Sequence, residues 1–299
     1  MVVSAVIATG SLVAVPSNAA ADDVEAVSSS EIASALGSTD RQNGSLVAEP
    51  VPSSTDTDSA AVVKQEDTTI EVPKDPEAGV SLQGNGTPEI TISLPNADES
   101  KDATRLKDGT VAYPGTDGSA QAVIPTEGGV QMLTTIAEPT APTRYDYKVD
   151  VPEGGRVEVS PGNAGAVVLD GDGKPVVLVP APWAKDASGT AVPTHFETDG
   201  TTLTQVVEHN AGSYSYPVVA DPKYYASKYG FLVQFSKKTT KDVLELGGGV
   251  VTGALGVSGW VGAALGAAVW TIARMNRGKC IWVYKDWGSL WWQAWAERC

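Results

Sequence analysis

Residues 246–273 form a run of 28 residues without a charge, LGGGVVTGALGVSGWVGAALGAAVWTIA. As one helix rising about 1.5 Å per residue it would reach about 42 Å, against about 30 Å of bilayer hydrocarbon. Gly247, Gly248, Gly249, Gly253, Gly256, Gly259, Gly262 and Gly266 all fall inside it. Each costs about 1 kcal/mol relative to Ala in a helix interior, so helix propensity alone does not hold the segment. It needs a packing partner or lipid. Gly249 and Gly253 are four apart, as are Gly262 and Gly266. Small residues at that spacing let two helix backbones approach closely. The GVSG of residues 256–259 lies between the two stripes and reads as a turn. The spacing predicts a helical hairpin with arms over 238–255 and 260–277, packed at Gly249, Gly253, Gly262 and Gly266. A soluble hairpin, a hairpin that inserts into a target membrane and a single tilted transmembrane helix all fit this pattern.

The charge on either side is uneven. Up to residue 222 there are 11 basic and 32 acidic residues, a balance of −21; from 223 onward there are 10 and 4, a balance of +6, and the two sum to the −15 of the chain. An acidic body repels phosphate, which argues against nucleic acid as a partner. A basic, aromatic end suits contact with an anionic membrane or cell-envelope surface.

The two cysteines, Cys280 and Cys299, both lie in this end. Their pairing would contribute about 3 kcal/mol by restricting the unfolded chain, which matters for a segment too small to bury a core of its own. Two cysteines without a neighbouring histidine do not make a four-ligand metal site. Seven of the eight tryptophans lie from Trp260 onward. KCIWVYK alternates, with Trp282 and Tyr284 at the parity of Cys280. Trp287, Trp291, Trp295 and Cys299 recur every four residues, which predicts one face of a helix capped by Asp286. The indole ring is apolar with a polar N–H and favours membrane–water interfaces. Lys279, Lys285, Arg274 and Arg277 each add about 1 kcal/mol near an anionic surface. The predicted membrane-contact residues are therefore Trp282, Trp287, Trp291, Trp295, Lys279 and Lys285.

Residues 1–21 read as a secretory signal peptide, an apolar core ending in Ala19-Ala20-Ala21. Residues 22–86 are acidic, rich in Ser, Thr and Pro and without aromatics, which predicts a disordered spacer. Over 87–222 short alternating runs recur, among them PEITISL and RYDYKVDV, separated by Gly, Pro and Asp turns. Asp170-Gly171-Asp172-Gly173 between two Val-rich runs marks a hairpin. The expected fold class is α+β: an antiparallel β-sandwich over 87–222, then over 223–299 a small Gly-rich helical hairpin with a disulfide-closed, Trp-rich tail.

Pro182-Trp183-Ala184, Asp186-Ala187, Val192-Pro193-Thr194 and the run from Tyr216 through Pro217, Val218, Val219, Ala220 and Asp221 to Pro222 resemble a block in secreted proteins of actinobacteria, mostly of unknown function. Val233-Gln234-Phe235-Ser236, the Gly/Ala-rich stretch, Gly278-Lys279-Cys280 and the terminal Cys299 are similar to the same proteins. The resemblance spans roughly residues 87–299. It implies export and a β-rich module followed by a small Gly-rich module, and brings no catalytic residues with it. The Trp-rich end departs from the pattern.

The only histidines are His195 and His209, both expected in strands. G-x-S-x-G, H-E-x-x-H and a Cys/His pair within one module are missing from the sequence. Asp170 and Asp172 lack the further spaced oxygen ligands of a calcium loop. The chain is expected to be secreted and non-enzymatic, with no cofactor or metal. Its C-terminal module would contact or enter membranes in the manner of a bacteriocin. The alternative is a cell-envelope binding or structural protein, with the β-sandwich as binding module and the C-terminal module as cap or anchor. Cys280→Ser should lower the stability of the C-terminal module by about 3 kcal/mol and leave the β domain's transition unchanged. Thermal melting checks the loss, and mass spectrometry of non-reduced peptides checks the pairing.

Overall fold

The structure, a computed structural model, describes residues 26–226 except 44–45, 66–67, 85, 160–162, 164 and 174, together with 230–235, 240–241, 244, 269–275, 277, 279–286 and 292–297. A first helix, α1 (Ser29–Asn43), is followed by strands β1 (Ser59–Lys64), β2 (Thr68–Pro73), β3 (Val80–Gly84), β4 (Glu89–Ile92), β5 (Thr104–Arg105), β6 (Val111–Tyr113), β7 (Ser119–Thr126) and β8 (Gly129–Ile136). Next come β9 (Arg144–Asp150), β10 (Arg156–Val159), β11 (Gly165–Leu169), β12 (Pro175–Pro180), β13 (Trp183–Lys185), β14 (Thr194–Thr198), β15 (Thr202–Val207), β16 (Val218–Asp221) and β17 (Lys223–Ala226). Strands β18 (Gly230–Phe235), β19 (Cys280–Asp286) and β20 (Trp292–Glu297) form a sheet of their own.

The antiparallel β architecture expected from the alternating runs is present. A seven-stranded sheet, β1-β2-β3-β4-β9-β15-β14, faces a ten-stranded one, β10-β11-β12-β17-β8-β7-β6-β5, with β13 and β16 joined to it at β8. In RYDYKVD every second residue is inward, so Tyr145, Tyr147 and Val149 are buried while the residues between them are exposed. They meet Val123, Met132, Val218 and Tyr224 of the opposite sheet in one core. The Asp170–Gly173 hairpin also forms, joining β11 to β12, with Gly173 N–H donating to the Asp170 carbonyl at 2.9 Å.

Strands β7 and β8 do not alternate: all sixteen of their residues are buried. One face belongs to the core between the sheets. The other carries Ala120, Ala122, Ile124 and Leu133, which pack against Ile32, Ala35 and Leu36 of α1. The molecule therefore has three layers on this side. Ser28 and Glu31 start the helix as a capping box: the Ser28 N–H and hydroxyl donate to Glu31 Oε2 at 2.7 and 2.6 Å, and Glu31 N–H donates back to Ser28 Oγ at 3.3 Å. β17 closes on β8 so tightly that a Cβ on Gly129 would sit 2.1 Å from the Tyr224 carbonyl oxygen.

Three expectations need correction. The expected spacer, 22–86, holds α1, β1, β2 and β3 among its described residues. Its Ile70, Val72, Val80 and Leu82 are fully buried. The acidic, aromatic-free average hid short apolar runs whose partners, β4 and the opposite sheet, lie further along the chain. The β domain also does not end at 222, because β17 pairs with both β8 and β12. In the tail, Trp295 lies in a strand rather than on a helix. A spacing of four is a multiple of the strand period of two as well as near one helical turn, and Trp favours strands. Of the predicted hairpin arms, 240–241, 244 and 269–275 are helical and 277 is a turn; the remainder, with Gly249, Gly253, Gly262 and Gly266, lies outside the described residues. So does the expected signal peptide.

Ile70→Ala should destabilise the β domain by about 2–5 kcal/mol, the cost of a buried Ile truncation. Denaturant unfolding checks it; a residue in an unstructured spacer would leave the midpoint unchanged.

Candidate functional site

The tail is where the sequence pointed. Strands β19 and β20 pair antiparallel, setting Trp282 opposite Trp295, Lys285 opposite Trp292 and Cys280 opposite Glu297. Ile281 and Val283 are buried, and Trp282 and Trp295 occupy opposed positions of the other parity. Two of the four predicted contact tryptophans are thus brought together by register. Lys279 immediately precedes β19 and is half-buried. Trp287, Trp291 and Cys299 lie outside the described residues. In the helical segment before the sheet, the Arg274 guanidinium lies over the Trp270 ring, 5.2 Å from its centroid, a cation–π contact. Among the described residues no helix is long and apolar enough to cross a membrane.

The ten-stranded sheet carries a second site that the sequence did not mark. On its α1 face Gln131 is buried and fully used. Its amide nitrogen donates to Asp221 Oδ2 at 2.7 Å and to the Leu46 carbonyl at 2.9 Å, and its oxygen accepts from Ala48 N–H at 2.7 Å. One side chain so fastens the segment after α1 to the sheet. Burial pushes the Asp221 carboxyl up to about 7, against the opposing pull of Gln131, Lys223 and Trp183. Burial lowers the Lys223 ammonium in turn, with Asp221 resisting. Both shifts favour the uncharged forms, as expected where water is scarce.

Beside this pair a groove of about 1190 Å³ opens between α1, residues 47–50, the 106–110 loop and the ends of β7 and β17. Leu36, Leu106 and Tyr225 give it an apolar wall, Lys223 a basic group, and Asp40, Glu49, Asp108 and Glu127 exposed carboxylates. The sequence signal for the site was slight. Asp221 and Lys223 sit two apart on one strand face, but nothing in the sequence shows what buries them.

Both histidines have polar partners. His195 is half-buried in β14, 3.3 Å from Glu197 Oε1. His209 is buried in a turn, not in a strand. Its Nε2 faces the Pro142 carbonyl at 3.0 Å, while its Nδ1 and its own carbonyl oxygen each lie 2.9 Å from the Tyr216 hydroxyl, whose single proton serves one of the two. Burial lowers its pKa, against the pull of the Pro142 and Ala141 backbone; a carbonyl only accepts, so Nε2 carries a proton toward Pro142. The cluster fastens the 141–142 turn to the 209–217 loop.

The segments 182–194 and 216–222 lie together in the structure. β13 pairs with β16, setting Trp183 opposite Asp221 and Ala184 opposite Ala220. Burial raises the Asp186 carboxyl, yet backbone N–H groups of Ser215, Thr190 and Ser188 at 3.0, 2.7 and 2.9 Å outweigh it and hold the pKa low. The two halves of the block are one structural unit. Comparison of the chain with protein-family models, curated proteins and solved structures finds no match.

Asp221 yields a pH signature. Its folded pKa, about 7, exceeds the unfolded value of about 3.9, so between them the folded state holds the extra proton. Its contribution to stability is complete below about pH 4 and is lost as pH rises through 7. Asp221→Asn keeps an acceptor for Gln131 and removes the titration. The melting temperature of the wild type should fall relative to Asp221→Asn between pH 5 and 8, as read by differential scanning calorimetry.

Proposed function

We propose that this is a secreted, non-enzymatic protein whose C-terminal module works at an anionic membrane surface, in the manner of a bacteriocin, while the β-sandwich serves as its folded carrier. The observation that carries the reading is the β19–β20 register, with Trp282 opposite Trp295 and Lys285 opposite Trp292. Tryptophans at opposed register positions of β19 and β20, with lysines in and just before β19, combine interfacial preference with attraction to anionic lipid. The exposed Arg274 and Arg277 add positive charge to the same segment. The separation of an acidic body from a basic end directs the end, not the body, toward such a surface. The Cys280–Cys299 pairing belongs to the same reading. The resemblance to secreted actinobacterial proteins supports export.

A second reading makes the β-sandwich a cell-envelope binding module and the tail its cap or anchor. The observation that favours it is the groove of about 1190 Å³ beside α1.

The two separate in one experiment on the full chain. The protein should bind anionic vesicles and release their contents while leaving zwitterionic ones intact. The double variant Lys279→Ala, Lys285→Ala should bind about thirtyfold more weakly, two charges at about 1 kcal/mol each. Failure to bind anionic vesicles sinks the first reading. Binding to isolated cell-wall material that persists in the variant Trp282→Ala, Trp295→Ala supports the second.

A further inference from the structure

Strands β16 and β17 run as one line against β8. β16 ends at Asp221 and β17 begins at Lys223, and both keep one register, with Ala220 opposite Thr134 and Lys223 opposite Gln131. The line is interrupted at Pro222, whose nitrogen has no hydrogen to donate, although its carbonyl accepts from Met132 N–H at 2.9 Å. On the other edge the partner changes at the same place. β13 lies against Asp221, and β12 takes over only at Tyr225 and Ala226. The Asp221–Pro222 bond therefore sits where the sheet exchanges one neighbouring strand for another.

An Asp–Pro bond carries the means of its own cleavage. The side-chain carboxyl reaches the carbonyl carbon of its own residue by closing a five-membered ring, so the attack is intramolecular. The Pro nitrogen belongs to a tertiary amide and leaves as a secondary amine once it gains a proton. A carboxyl that keeps its proton brings both the attacking oxygen and that proton. Asp221 is such a group: it is 3% exposed, and burial pushes it up to about 7. Gln131 Nε2 holds its Oδ2 at 2.7 Å. Its titratable neighbours are Lys223, Tyr224 and Tyr225 on β17 and Tyr147 on β9, while Gln131 on β8 and Trp183 on β13 are uncharged. The sequence contains one other Asp–Pro, Asp75–Pro76. Asp75 is exposed, and its carboxylate accepts from Glu77 N–H at 2.9 Å as the cap of a short turn.

The position of the bond in the chain gives the cut a purpose. The balance of −21 lies wholly before it and the balance of +6 wholly after it. We propose that the folded protein cleaves its own chain between Asp221 and Pro222, dividing the acidic β domain from the basic C-terminal module. An Asp221 carboxyl oxygen bonds to the Asp221 backbone carbonyl carbon, the bond to the Pro222 nitrogen breaks, and the carboxyl proton passes to that nitrogen. A cyclic anhydride is left, which one water opens to two carboxyl groups. The groove reaches Lys223, one residue beyond the bond, and admits that water. Strand β17 stays paired to β8 and β12 after the cut, and Tyr224 stays buried, so the two pieces remain together until the tail is drawn away. The use of the cut, freeing a membrane-active module, rests on the reading above; the cut itself does not.

The test is incubation of the purified full chain near neutral pH, with intact masses read over time under denaturing conditions. Two products should appear whose masses sum to that of the chain plus one water, the second beginning at Pro222. Size exclusion without denaturant should show them still together. The folded chain should be cut at least about tenfold faster than the chain in urea, and faster at Asp221–Pro222 than at Asp75–Pro76. Asp221→Asn and Pro222→Ala should melt cooperatively and stay intact. The proposal is overturned if the folded chain stays whole, if both Asp–Pro bonds break equally, or if urea speeds the cut, since the fold then contributes nothing. A cut that persists in folded Asp221→Asn also overturns it, because a protease is then responsible. Should a variant fail to fold, the two bonds and the urea comparison on the wild type decide. Cleavage in a protein that leaves anionic vesicles intact upholds the cut and counts against the membrane reading alone.

Discussion

Everything on one side of this protein follows from a hairpin, β7 and β8, that is buried on both faces. A sheet covered on one side alternates apolar and polar residues; this pair does not, and so needs a second cover. The first cover is the seven-stranded sheet. The second is α1 and the segment after it. Hydrophobic contact holds the helix, through Ile32, Ala35 and Leu36. The segment is held by Gln131, whose buried amide would be left unsatisfied without the Leu46 and Ala48 backbone. A region with the composition of a disordered tail is thereby an obligatory layer of the fold.

That second cover is incomplete, and two recesses among the described residues lie at its gaps. On one side the groove borders Lys223, beside the buried Asp221. On the other, a cavity borders Thr135 and Glu138. A second sheet would have closed over this face with interdigitated side chains. One helix of fifteen residues, fastened near its ends, spans it and leaves polar atoms beneath.

The tail has a different logic. Its small sheet pairs β18 with β19, far apart in sequence, and β19 with β20, its neighbour along the chain. The Gly-rich run lies between β18 and β19 in the chain. A basic, Trp-bearing element after an acidic body keeps like charge together in the sequence, which is the basis of the proposed contact with an anionic surface.

The alternation at Ile90 and Ile92 and at Tyr145, Tyr147 and Val149 was legible because a half-buried strand writes its period into consecutive residues. The Asp170–Gly173 turn was legible because its geometry depends on its own residues. The helix start was readable too, in Ser28 and Glu31 ahead of Ile32, Ala35 and Leu36, but composition averaged over the region obscured it. The burial of Ile70 and Val80, the covering of β7 and β8, and the environments of Asp221 and Thr135 were not legible, because each depends on partners supplied from elsewhere in the chain. Nor could the tryptophan spacing choose between helix and strand, since four residues satisfy both periods. The sequence by itself determined the strand-rich class, the local turns and the separation of charge. Tertiary structure alone decided which segments are layers, which polar atoms lose water and where the recesses lie, because burial belongs to contacts between segments and not to any one of them.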